Sequence, residues 1–177
     1  TMLQPTTVKQ FSLIELTKSA EKVVWARCEN TALELIDGEI YTNYTFIVIE
    51  TIKGRHTSSI TISLPGGISQ GVHYKIVGMP IFNPGTDELL FLTQATPPKS
   101  AWPIGLYQGA ARIIDDISGV RRVFFRQKPH LTETFRHGKL ATLNQNSSRP
   151  SKNHNGKPLE NVLSYIRSLI SGQSNDH

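Results

Sequence analysis

Two runs rich in strand formers, residues 31–36 and 39–52, are separated only by Asp37-Gly38. A two-residue link between extended segments needs positive φ at both positions, which aspartate tolerates and glycine adopts freely. The runs are therefore predicted to be neighbouring antiparallel strands. Residues 40–52 exceed the usual strand length, so a bend or bulge is expected within them.

The same alternation continues down the chain. Residues 23–26 switch to strand formers, and further strands are predicted at 59–64, 72–77, 88–93, 105–108, 111–115 and 120–126, with Ser118-Gly119 as another tight turn. Pro65-Gly66-Gly67, Asn83-Pro84-Gly85 and Pro97-Pro98 punctuate the loops between them. Many short strands at such intervals imply a barrel or a sandwich.

Helices are expected only at the two ends. Ser12-Leu13-Ile14-Glu15 has capping-box spacing, and Leu13, Leu16 and Ala20 then share one face of a helix ending near Glu21. At the other end Pro158 suits a first helical turn. Leu159, Val162, Leu163, Ile166, Leu169 and Ile170 form one apolar stripe, and Gly172 is the expected stop. That helix carries Arg167 as the only base on its polar face, so it is read as docking on the barrel rather than on anionic lipid or a partner. The resulting division is a β-barrel domain over 1–128 with its N-terminal helix, a basic polar loop over 129–157, and a helix over 158–171 packed on the same domain.

Composition narrows the functional classes. The 177 residues suffice for one domain with a core, and no apolar run reaches membrane-spanning length. With Cys28 the single cysteine, no intramolecular disulfide exists; it shares a strand face with Val24 and Ala26 and reads as a buried thiol. The net charge is +5, and residues 121–157 hold nine of the nineteen Lys and Arg with Glu133 as the only acid. Such a segment suggests an anionic partner.

The order of motifs resembles that of a known group. Ser12-Leu13-Ile14-Glu15-Leu16, Ser19-Ala20-Glu21-Lys22-Val23-Val24, Gly38-Glu39-Ile40-Tyr41-Thr42, Ile52-Lys53-Gly54, Leu64-Pro65-Gly66-Gly67, Phe82 and Leu89-Leu90-Phe91-Leu92 resemble an uncharacterised family of bacterial exported proteins. The layout is also similar to the OB-like barrel of the netrin module, the fold of tissue inhibitors of metalloproteinases. That resemblance implies a mainly β, OB-like barrel, closed or partly open, and a periplasmic or secreted location after removal of a signal peptide. It does not carry over the inhibitors' zinc chelation, because that chemistry uses an N-terminal cysteine where this chain begins with Thr1.

Candidate chemistry is sparse. Gly67-Ile68-Ser69-Gln70-Gly71 is a literal G-x-S-x-G, and Asp115 and His130 follow in hydrolase order. The nucleophile elbow, however, needs a helix after the serine, and Val72-His73-Tyr74-Lys75-Ile76-Val77 is a strand sequence. Ser19-Ala20-Glu21-Lys22 matches S-x-x-K without the companion elements of penicillin-recognising enzymes. No histidine spacing suits a metal, Gly66, Gly67 and Gly71 lack the lysine of a P-loop, and the pairs Asp87-Glu88 and Asp115-Asp116 read as surface acids; neither metal nor cofactor is expected. The remaining signal is Arg121-Arg122-Val123-Phe124-Phe125-Arg126-Gln127-Lys128, bases interleaved with aromatics, with Trp102, Tyr107 and Tyr74 available for stacking. Export disfavours nucleic acid. The expected function is a non-catalytic exported binding module for an anionic ligand or a protein. The alternatives are a regulator or inhibitor of an exported protease and a small serine hydrolase at Ser69.

Overall fold

The computed structural model describes residues 9–69, 71–95, 100–126 and 156–173. The protein is mainly β. A short helix, α1 (Leu13–Ser19), leads into β1 (Lys22–Ile36) and β2 (Glu39–Lys53), followed by β3 (Ser59–Pro65), the small pair β4 (Gly67–Ser69) and β5 (Val72–Tyr74), then β6 (Asp87–Leu92), β7 (Ala110–Asp115), β8 (Arg121–Phe125), the two-residue β9 (Lys157–Pro158) and α2 (Leu159–Gln173). Seven strands form one antiparallel sheet in the order β3-β2-β1-β6-β7-β8-β9. The sheet is open, with β3 and β9 at its edges, and no pairing between them closes it into a barrel.

The expected hairpin sits where the Asp-Gly pair put it. Ile36 pairs with Glu39, and Asp37 and Gly38 take φ of 52° and 83°. The two predicted strands on its N-terminal side, at 23–26 and 31–36, are one strand of 15 residues. Length mismatch along this pair is absorbed by register shifts at Val23/Val24, Trp25/Ala26 and Cys28/Asn30, which skip Ile52 and Ile49 on β2 and Glu29 on β1. Each extra residue bends and twists the ladder, so the bulges expected in β2 are matched by one on β1.

The capping box of α1 is formed. Ser12 Oγ accepts from the Glu15 N–H at 3.2 Å, and Glu15 Oε2 accepts from the Ser12 N–H at 2.9 Å. The helix stops at Ser19, two residues before the predicted end, because Ala20 is already extended. Lys53 Nζ donates to the Thr17 and Lys18 carbonyls at 2.8 and 3.3 Å, placing a cation on the negative end of the helix.

Four other expectations are corrected. The sequence predicts a strand over residues 105–108. They turn instead, Gly105 and Leu106 having φ of 59° and 60° and Leu106–Gly109 forming a 3-10 turn that leads into β7. The predicted strand at 72–77 ends at Tyr74, since no neighbour pairs with the residues beyond it. Pro158 closes β9 one residue before α2 rather than starting the helix, and Gly172 lies inside the helix rather than ending it. The basic loop predicted at 129–157 lies outside the described residues up to 155.

Strand alternation gives the sheet two buried faces. On one, Val23, Trp25, Leu89, Phe91, Ala111, Ile113 and Val123 pack against Leu13 and Leu16 of α1 and Leu159, Val162, Leu163 and Ile166 of α2. On the other, Val24, Ala26, Cys28, Leu90, Leu92 and Ala110 join Tyr44, Phe46, Ile62 and Leu64 beneath Phe82, which comes from the irregular segment after β5. No helix among the described residues is long and apolar enough to cross a membrane.

Candidate functional site

The second face carries a cleft of about 430 Å³. Its floor is the outer part of the β1–β2 pair, with Leu33, Thr42 and Tyr44, and Leu64 of β3. One wall is the β4–β5 hairpin, with Ile68 and Tyr74; the other is the segment 75–84, with Lys75, Ile76, Met79, Ile81 and Phe82. The volume is within the range of sites for small ligands.

Glycine makes this arrangement possible. Gly66, at φ 101°, donates its N–H to the Ile40 carbonyl at 2.8 Å, and its own carbonyl accepts from Thr42 Oγ1 at 2.7 Å. Gly67, at φ 151°, lies so close to β1 and β2 that a Cβ there would be 2.6 Å from Thr42 Oγ1 and 2.7 Å from Leu33 Cδ2. The chain thus leaves β3 and folds the β4–β5 hairpin directly across the floor. The G-x-S-x-G sequence is this hairpin: Ser69 is the last residue of β4 and pairs with Val72, so a strand follows it where an elbow needs a helix.

The second wall is fastened from behind. Phe82 packs edge-on against Tyr44 and Phe46, with ring centroids 5.0 and 5.1 Å away. The Arg126 guanidinium lies 4.8 Å over the Phe82 ring, and its Nη2 donates to the Ile81 carbonyl at 3.2 Å and to Glu88 Oε1 at 2.9 Å. Arg112 Nε is 3.5 Å from the same oxygen. Glu88 is therefore no surface acid. It shares a face of β6 with the buried Leu90 and Leu92, and its Oε2 has no hydrogen-bond partner among the described residues. Burial pushes its carboxyl up against the downward pull of the two arginines, and lowers the Arg126 guanidinium against the upward pull of Glu88.

The sequence-predicted residues are distributed as follows. Tyr74 lines the cleft and is half exposed. Tyr107 is buried outside the cleft lining and braces the second wall from its backbone, its N–H donating to the Gly78 carbonyl at 3.1 Å. Trp102 is half-buried against the core of the same face and exchanges two hydrogen bonds with Thr93. Arg126 is the wall's fastener. The other two described arginines point to opposite faces and are paired within the chain. Arg121 lies over Trp25 at 4.9 Å with its Nε 3.5 Å from Asp115, and Arg122 contacts Asp116 at 2.6 Å and donates to the Gly156 carbonyl at 2.9 Å. Lys128 is outside the described residues. Cys28 is buried, and burial raises its thiol above the ordinary range, which keeps it protonated and unreactive. Among the described residues no three His, Cys, Asp or Glu side chains gather as a metal site would require.

Sequence reasoning missed the second wall. Ile76 and Val77 fall in the expected strand 72–77, and Met79 and Ile81 fall in no expected element. The available signal was their apolarity, because a connecting segment this greasy must either bury itself or serve as a surface. Compared with protein families, with curated proteins and with solved structures, the chain matches none.

Proposed function

We propose that the chain is a non-catalytic binding module whose ligand occupies the cleft between the β4–β5 hairpin and the segment 75–84. One observation carries this reading. Leu33, Ile68, Tyr74, Ile76 and Ile81 remain 43–58% exposed around a concavity already walled by apolar side chains. Monomeric proteins seldom leave so much apolar surface in one place unless something covers it. Cleft walls built from hydrophobic and aromatic groups are the usual design of a ligand site.

The anionic-ligand reading at Arg121, Arg122 and Arg126 is supported less well, since an anion there must displace Asp115, Asp116 or Glu88. Regulation or inhibition of an exported protease is the second reading. Its specific support is Leu35, 70% exposed near the tip of the β1–β2 hairpin and available to a protein partner. Kinship with OB-like barrels and export belong to the proposal too, the former supported by the long bulged β1–β2 pair.

Nile red, a neutral dye that fluoresces in apolar sites, tests the reading. We expect saturable binding that is lost in Ile81→Glu and Ile76→Glu, both exposed enough for the fold to tolerate a charge. Undiminished binding in both variants would refute the cleft as the site.

A further inference from the structure

We infer that the cleft takes a single-chain amphiphile with an anionic head, its chain on the apolar walls and its head at Lys75; this rests on the cleft being the binding site. Lys75 is the only charged side chain among the described lining residues, and the lining contains no acid. It follows β5 directly, at the junction of the two walls, and is exposed, so it stands at the mouth rather than on the floor. No carboxylate among the described residues pairs with it, so its charge is not neutralised within the described chain.

The Thr42 hydroxyl on the floor is engaged within the chain, its Oγ1 donating to the Gly66 carbonyl at 2.7 Å, and Tyr44 is buried at 5% exposure. A ligand reaching the floor therefore finds apolar contact, and one pausing at the mouth finds a cation. A neutral apolar ligand leaves that cation unused. A cationic amphiphile is repelled by it, and a multiply charged polymer has a single base to bind. An alkyl chain ending in a carboxylate or sulfate uses both features.

The test is calorimetric titration of the full 177-residue chain with decanoate, decanol and decyltrimethylammonium below their micellar concentrations, with amide shifts mapped by NMR. Decanoate is expected to perturb Gly66, Gly67, Tyr74, Ile76 and Ile81 and to bind about threefold to fivefold more tightly than decanol, with decyltrimethylammonium weaker than both. Each methylene removed should weaken it about fourfold. Lys75→Gln should bring decanoate down to the affinity of decanol while leaving decanol unchanged.

Equal affinities for decanoate and decanol, both lost in Ile81→Glu, would overturn the head-group assignment and leave the cleft as an apolar site. Absence of cleft shifts with every probe would overturn both readings. Self-association of the wild-type chain that Ile81→Glu abolishes would also overturn the inference, since a second copy would then cover the cleft.

Discussion

The two faces of the sheet are covered by different means. Helices α1 and α2 close one, and its buried polar side chains, Thr17 and Gln108, are neutral. A segment without regular structure closes the other, fastened by a buried carboxylate and two arginines. A helix satisfies its own backbone, so it can seal a face with apolar side chains alone. An irregular segment cannot, and Arg126 supplies part of what is missing by donating to the Ile81 carbonyl. The contrast separates the work of the molecule: the helical face holds it together, and the irregular face leaves room for a ligand.

Removal of residues 159–177 should break the comparison most severely. Leu159, Val162, Leu163 and Ile166 are at most 2% exposed. Burial of each contributes roughly 1.5–3 kcal/mol before ordering entropy, against a total stability of about 5–15 kcal/mol for a domain. The truncated chain is expected to lose its cooperative thermal transition. If it melts as the full chain does, the helical face is not the stabilising one.

On the irregular face the ion pair should behave asymmetrically. Glu88 is fully buried, whereas the Arg126 and Arg112 side chains are 18% and 35% exposed. Arg126→Met leaves the carboxylate without its nearer partner, and stranding a buried charge costs about 3–5 kcal/mol. Glu88→Gln leaves arginines that still reach water, so it should cost less than half as much. Urea denaturation at neutral pH measures both, and a larger loss for Glu88→Gln would reverse the assignment of the burdened partner.

The helical face was the more legible in the sequence. Helical periodicity over 159–170 names its stripe, and Ser12 with Glu15 names its other helix, because both signals are local. The hairpin at Asp37-Gly38 was readable for the same reason. What could not be read was pairing at a distance. That the sheet stays open depends on edges that no local pattern encodes, and the burial of Glu88 depends on Arg112 and Arg126 arriving from other strands. The cleft is hidden likewise, since its floor and walls come from segments between Thr31 and Pro84 that meet only through the fold at Gly66 and Gly67.

Two glycines sharpen the contrast at smaller cost. A Cβ at Gly38 meets nothing within 4 Å, so Gly38→Ala should lose only the backbone penalty of positive φ, about 1 kcal/mol or more. At Gly67 the Cβ would meet Thr42 and Leu33, both of which line the cleft. Gly67→Ala should therefore weaken Nile red binding as well as stability, whereas Gly38→Ala should leave binding intact. Equal effects on binding would mean that the hairpin–floor contact does not shape the site.

The smallest effect distinguishes the faces by the sign of a pH dependence. On the helical side, hydrogen bonds from Ser12 and from Lys9 lower the Glu15 carboxyl from 4.5 to about 2. A carboxyl lowered by folding stabilises the fold fully above its unfolded value and loses that contribution as pH falls from about 4.5 towards 2. Glu88 is shifted the other way by burial, so the folded chain holds that proton to higher pH than the unfolded chain does. Its contribution is present below the unfolded value and declines as pH rises through the raised folded one. Melting curves of the wild type, Glu15→Gln and Glu88→Gln between pH 2 and 8 separate the two. The advantage of the wild type over Glu15→Gln should shrink on acidification below about pH 4.5. Relative to Glu88→Gln, the wild type should lose ground as pH rises above that point. The Glu15 effect should be the weaker, because that carboxylate is solvent-exposed and an exposed charge is screened. Trends of the same sign in both variants would contradict the description of one face as sealed by helices and the other as fastened by a buried charge.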